Sequence, residues 1–208
     1  MTSEALSVDE LLAPGLDLAA LADRFAGAEP FEHVVIDGFL RSGLARELAD
    51  VFPGPDAPFW YRYASPLERK LAYNKPDHTP PAIWSVLAAL SSDAMVARLR
   101  ALTGIADLVA DPSLHGGGMH CIGRDGKLDL HVDYAVHPVL GLERRLNLIL
   151  YLNADWRPEW GGELELWDAE VARCQARIAP LLDRAVLFAT GDRSVHGHPE
   201  PLRCPPGV

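Results

Sequence analysis

Leu128-Asp129-Leu130-His131-Val132-Asp133-Tyr134 alternates apolar and polar residues, the period of a β-strand with one buried face. Side chains two positions apart share a face of a strand, so His131 and Asp133 present an imidazole nitrogen beside a carboxylate oxygen. That is two thirds of a three-ligand metal site. Whether the chain supplies a third ligand separates a metal centre from an incidental tripeptide.

Working outward, short segments of the same kind recur from Asp107 onward, separated by Gly, Asp and Pro. They are expected at 115–122, 128–133, 145–153, 163–167, 176–179 and 184–190, with a further start near Ser194. Regularly spaced short strands predict an antiparallel sandwich or barrel. The first hundred residues read differently. Ser7-Val8-Asp9-Glu10 fits a capping box, residues 16–25 have helical spacing, and 33–36 form a short apolar strand. Ser42 is expected to cap a helix over 43–52, which Pro53-Gly54-Pro55 stops. Ser65-Pro66-Leu67-Glu68 reads as another helix start, and 81–90 and 93–102 as two more helices ending at Gly104. Helices followed by strands give an α+β class.

Composition narrows the function. The chain has 208 residues, 49% hydrophobic and 23% charged, as expected of one globular domain. Its formal charge of −10 disfavours phosphate-backbone binding, so no nucleic acid is expected as partner. No apolar run approaches a membrane span, and Met1-Thr2-Ser3-Glu4 lacks the basic start of a signal peptide, which predicts a cytoplasmic protein with no membrane partner. Cys121, Cys174 and Cys204 have no CxxC spacing, so neither a disulfide framework nor a cysteine zinc site is expected.

Two late histidines, His196 and His198, can complete the ligand set, because they follow the apolar segment 184–190 that carries the chain back across a barrel. His137 sits in the loop after Asp133, and His33, His78, His115 and His120 have no carboxylate at ligand spacing. Two histidines and one carboxylate form the facial triad of non-haem Fe(II) oxygenases, which leaves coordination positions open. On 145–151, Arg145, Asn147, Ile149 and Tyr151 alternate with Leu146, Leu148 and Leu150. A strand with that polar set on one side faces solvent or lines a polar pocket. Gly116-Gly117-Gly118 reads as a bulge or tight passage, and Trp156, Trp160 and Trp167 as core or rim packing.

From Leu114 to the end the sequence resembles the 2-oxoglutarate/Fe(II)-dependent dioxygenases of the prolyl 4-hydroxylase type. The resemblance rests on His131-Val132-Asp133, Leu150-Tyr151-Leu152-Asn153-Ala154-Asp155-Trp156, Gly161-Gly162-Glu163-Leu164, Leu182-Asp183-Arg184-Ala185-Val186-Leu187-Phe188 and Ser194-Val195-His196, in that order. It implies a double-stranded β-helix, a jelly-roll or cupin-like barrel, over 107–208, with 1–106 as a mostly helical support in a single domain. It implies His131, Asp133 and His196 as Fe(II) ligands and catalytic residues, preferring His196 because the family's distal histidine stands five residues before a proline, here Pro201. Tyr151 and Asn147 match polar pocket positions that help hold 2-oxoglutarate, and Arg145 is the candidate pocket cation.

The family's basic residue after the distal histidine has no match here. Arg203 lies in a Pro-rich turn only seven residues past His196, so the barrel is expected to lack its last strand within these residues. The resemblance implies hydroxylation of an unactivated C–H bond in a prolyl, peptidyl or small-molecule substrate. O2 and 2-oxoglutarate are the co-reactants, succinate and CO2 the co-products, and ascorbate a further candidate cofactor. Asp133 favours hydroxylation, since related halogenases carry a small residue there. The alternatives are a cupin-type metal enzyme that does not use 2-oxoglutarate and a non-catalytic jelly-roll binding module. The oligomeric state is not legible.

Overall fold

Capping chemistry sets the helices of the computed structural model, which describes residues 6–207. The stretch Met1-Thr2-Ser3-Glu4 lies outside the described residues. Ser7 and Glu10 form the expected capping box, with Glu10 N donating to Ser7 Oγ at 3.3 Å and Ser7 N to Glu10 Oε2 at 3.0 Å. It opens the single turn α1 (Val8–Leu11). Asp17 accepts from Ala19 N and Ala20 N at 3.0 Å and starts α2 (Leu18–Ala26). The strand expected at 33–36 is β1 (His33–Asp37).

Helix α3 (Leu44–Asp50) departs from the expected cap. Gly43, with φ of 86°, is the N-cap and makes no side-chain bond, so Ser42 stands one residue too early. Helices α4 (Pro81–Leu90) and α5 (Asp93–Thr103) fall where the spacing predicts them, with Gly104 in the left-handed conformation after α5.

The helix expected at Ser65 does not form. Ser65 Oγ accepts from Leu67 N and Glu68 N at 3.2 and 3.1 Å, which closes a hairpin of β2 (Tyr61–Ala64) and β3 (Glu68–Tyr73). A serine bonding the amides two and three residues ahead serves a turn as well as a helix start. The residues after Glu68 have no helical apolar period, and the ladder takes over. The expected 115–122 strand contracts to β4 (Met119–Cys121), because Gly116 and Gly118 adopt φ of 73° and 88°. A Cβ on Gly118 would collide with the Tyr73 carbonyl, so this is a tight passage.

The remaining strands are β5 (Lys127–His131), β6 (Leu146–Tyr151), β7 (Leu164–Trp167), β8 (Cys174–Ile178), β9 (Arg184–Ala189) and β10 (His196–His198). One antiparallel sheet runs β1-β9-β6; the larger runs β2-β3-β5-β10-β7-β8, with β4 also paired to β3. Among the described residues β6 has a strand neighbour on one edge only.

Alternation gives the smaller sheet two apolar faces. Val34, Ile36, Ala185 and Leu187, with Leu146, Leu148 and Leu150, pack with the helix residues Leu21, Phe25, Leu48 and Met95. Val35, Ile149, Tyr151, Val186 and Phe188 pack instead with Leu164, Leu166 and Ile178 of the larger sheet. Burying each large side chain of this inner layer contributes about 1.5–3 kcal/mol. Two facing antiparallel sheets with helices against one of them make an α+β double-stranded β-helix.

Candidate active site

His131 ends β5, Asp133 comes two residues later, and His196 opens β10 directly opposite His131 in the ladder. The two rings lie 4.5 Å apart between centroids. Each ring is oriented by its own backbone. His131 Nδ1 is 2.8 Å from the Asp129 carbonyl, and His196 Nδ1 is 2.8 Å from the Ser194 carbonyl. A carbonyl only accepts, so both Nδ1 atoms carry the proton and both Nε2 atoms present a lone pair.

Those lone pairs converge on one carboxylate. His131 Nε2 stands 3.8 Å from Asp133 Oδ1 and His196 Nε2 3.9 Å from Oδ2. One ligand atom from each residue lies within 4.8 Å of the other two. Burial pushes the His196 pKa below its ordinary value, against the Ser194 carbonyl and Asp133, so the ring stays neutral as a ligand must. Two imidazoles with Nε2 turned inward and a carboxylate on one small face fit a divalent first-row metal with open positions.

The carboxylate is held from its other side. Asn147 Nδ2 donates to Asp133 Oδ2 at 3.2 Å, and Arg144 Nη2 lies 3.4 Å from the same oxygen. The Arg144 side chain is only 14% exposed and its guanidinium sits 4.8 Å from the centre of the Tyr134 ring. Groups that orient a ligating carboxylate tune both its position and its charge.

Of the pocket positions expected from the sequence, Asn147 therefore meets the triad through Asp133. Tyr151, further along the same face of β6, packs against the inner apolar cluster, and burial pushes its phenol pKa up. Arg145 is not brought into the pocket: its side chain is 46% exposed and lies 3.9 Å from Glu143. Alternation fails there because β6 begins at Leu146, after the Val136–Glu143 bridge has turned the chain. The guanidinium in the site is that of Arg144, which the reading from Arg145 missed; its pairing with Asp133 leaves no sequence signal beyond the Arg-Arg pair.

His137 takes no part in the ligand set, but it shapes the rim. Its Nδ1 accepts from Val139 N and Leu140 N at 3.1 and 3.0 Å, leaving Nε2 to donate to Ser113 Oγ at 3.1 Å. Asp111 stands 3.4 Å from the same nitrogen. The ring thus clasps the loop after Asp133 to residues 111–113. His198, the other late candidate, adds no ligand atom to the triad, and burial pushes its pKa down to about 4.

Residues 117–206 match the family model of the 2OG-Fe(II) oxygenase superfamily, a span that includes all three members of the triad. A search of curated protein sequences returned no match. Among solved structures, the chain is similar to a Pseudomonas putida prolyl-4-hydroxylase, with a TM-score of 0.60 and 21% identity over 89% of this chain and 92% of that one. It is also similar to a Trichoplax adhaerens prolyl hydroxylase in complex with a hypoxia inducible factor oxygen degradation domain peptide. There the TM-score is 0.59 and the identity 16%, over 89% of this chain and 84% of that one. Both likenesses concern the fold. The family match covers the part of the chain that carries the triad, and the two structural likenesses agree with its double-stranded β-helix fold.

Proposed function

We propose that this chain holds Fe(II) on His131, Asp133 and His196 and hydroxylates an unactivated C–H bond of a prolyl, peptidyl or small-molecule substrate. The observation that carries the reading is the convergence of two Nε2 lone pairs on the Asp133 carboxylate, each ring locked by a carbonyl on Nδ1. When bound, Fe(II) supplies oxygen activation coupled to decarboxylation of 2-oxoglutarate, with succinate and CO2 as co-products.

The chain's own residues do the positioning. The Asp129 and Ser194 carbonyls fix the two rings in the tautomer that ligates, and Asn147 and Arg144 hold Asp133 aimed between them. Tyr151 offers a phenol in the barrel interior to the remote carboxylate of 2-oxoglutarate. The apolar layer of Val186, Phe188, Leu164 and Leu166 shields the centre from bulk water on its inner side. Ascorbate as accessory reductant, a single domain over 1–208 and a cytoplasmic location belong to the same reading. No single helix among the described residues is long and apolar enough to cross a membrane.

The test is anaerobic addition of Fe(II) and 2-oxoglutarate. A visible charge-transfer band in the wild type that is lost in His131→Ala and His196→Ala supports the assignment; equal Fe(II) binding by all three proteins sinks it. A screen of prolyl peptides, free amino acids and small metabolites for succinate release coupled to a gain of one oxygen atom then identifies the substrate.

A further inference from the structure

His198 stands two residues after His196 on β10, so its side chain leaves the same face of the strand. Its ladder partner is Leu128 on β5, and Leu128 pairs in turn with Glu68 on β3. Glu68, Leu128 and His198 therefore form a row across the larger sheet, beside the row of His131 and His196. Lys70, two residues along β3 from Glu68, shares this face. Its ammonium is 3.0 Å from Glu68 and its side chain is 17% exposed. The charged or titratable groups acting on His198 are Lys70 foremost, then His131 and Glu165.

In that setting both ring nitrogens of His198 are buried and neither has a hydrogen-bond partner among the described residues. The contrast with the neighbouring histidines is sharp. His131, His196 and His137 each have Nδ1 bonded to backbone, and His137 also uses Nε2. An imidazole brings one donor and one acceptor in its neutral form, and leaving both unmet in a buried place is costly. The strand is also held close at this point. A Cβ on Gly197 would come within 2.7 Å of the Asp129 carbonyl, so β10 sits hard against β5 between the two histidines.

We infer that His198 is a binding residue whose ring N–H donates to the free carboxylate of a 2-oxo acid held at His131, Asp133 and His196, with Lys70 adding positive potential behind it. The inference rests on the Fe(II) reading of that triad. Two residues of strand separate His198 from His196, about 6.6 Å of rise, which a five-carbon diacid chelated at the metal spans with its far carboxylate. Arg145, the cation expected for that carboxylate, points to the surface. Beside the Tyr151 phenol, the unpartnered His198 ring N–H backed by a lysine is the donor that this sheet offers, and a carboxylate is the ligand that answers both.

Anaerobic titration of 2-oxoglutarate into the Fe(II)-loaded chain tests it, read from the charge-transfer band and by calorimetry with Zn(II) as a redox-silent stand-in. His198→Phe is expected to weaken 2-oxoglutarate about tenfold or more. Its Fe(II) affinity stays within about twofold of wild type, since its ring is not a ligand. His198→Gln keeps a donor and recovers most of the loss. In the Zn(II) form, the ring nitrogen signals of 15N-labelled His198 shift with 2-oxoglutarate but not with oxalate, which chelates the metal without a distant carboxylate. Wild-type affinity in His198→Phe, unmoved ring signals, or Fe(II) binding without any 2-oxoglutarate binding each overturns the inference while leaving the metal centre intact. Failure of the triad itself is separately visible as equal Fe(II) binding in wild type and His131→Ala, and it overturns both.

Discussion

His131 and His196 are direct partners across β5 and β10, and each donates Nδ1–H to the carbonyl of the residue two positions before it. The ladder sets the distance between the rings, and the local backbone sets their rotation. Neither depends on the other's side chain. The ligand geometry is thus built into the sheet before any metal arrives.

Arg144 and Arg145 separate cleanly in experiment. Arg144→Ala removes the cation beside Asp133 Oδ2 and is expected to lower Fe(II) affinity by about 10- to 100-fold. Arg145→Ala, an exposed residue near Glu143, is expected to change stability by less than about 0.5 kcal/mol and metal affinity not at all. Isothermal titration with Mn(II) measures both; equal effects would contradict the placement of the two side chains.

Phe188 links the core to the centre. It is fully buried and its ring stands 4.7 Å from that of His196, edge to face. Phe188→Ala is expected to cost about 3–5 kcal/mol in denaturant unfolding. It also weakens metal binding, since the His196 ring loses its wall. Phe188→Leu should retain most of the stability, and a Phe188→Ala protein with wild-type metal affinity would show that the ring contact orients nothing.

Gly197 is the residue of β10 that admits no side chain. Asp129 and Leu130 both stand against it, because the ladder pairs His196 with His131 but His198 with Leu128. An alanine Cβ would fall 2.7 and 2.8 Å from the carbonyls of Asp129 and Leu128. Gly197→Ala is expected to cost about 1–3 kcal/mol through forced backbone movement. The same movement shifts the Asp129 carbonyl that orients His131. Chemical denaturation read alongside a metal titration checks whether stability and affinity fall together.

The Asp37–Arg184 pair gives a pH dependence with a defined sign. Arg184 bonds Asp37 through Nε and Nη2 at 2.6 and 2.9 Å, and that hydrogen bond holds the carboxyl below its ordinary value of 3.8. Because the folded pKa is depressed, the contribution is complete above the unfolded value and disappears as pH falls through the folded one. The Asp37 side chain is 68% exposed, so the pair is worth no more than about 1 kcal/mol. Wild type and Asp37→Asn should differ in melting temperature at pH 7 and converge as pH falls from the ordinary value of 3.8 through the lower folded one, and a difference that persists in stronger acid would assign it to packing instead.

Much of this was legible in the sequence where a side chain reports its own neighbours. The alternation around His131 and along 146–151 marks strands, and the family-like order of segments points to His196. Other features lie outside one-dimensional pattern. Ser65 offers the same two bonds to a turn and to a helix, and only pairing with β2 decides between them. Arg144 enters the site because the chain turns before β6 begins, which shifts the parity that had favoured Arg145. The isolation of His198 depends on what three strands fail to offer it, and no single stretch of sequence carries that.

Strand β6 sends Leu146, Leu148 and Leu150 toward the helices and Asn147, Ile149 and Tyr151 toward the barrel interior. Position parity along this strand therefore sorts the consequences of mutation. A saturation scan of residues 146–151 would show a sawtooth. Even-numbered substitutions register mainly as lost abundance of folded protein, whereas polar changes at 147 and 151 register as lost ligand affinity in a protein that still folds. One six-residue strand acts as both a structural beam and a binding wall, and the two duties are free to drift independently under selection.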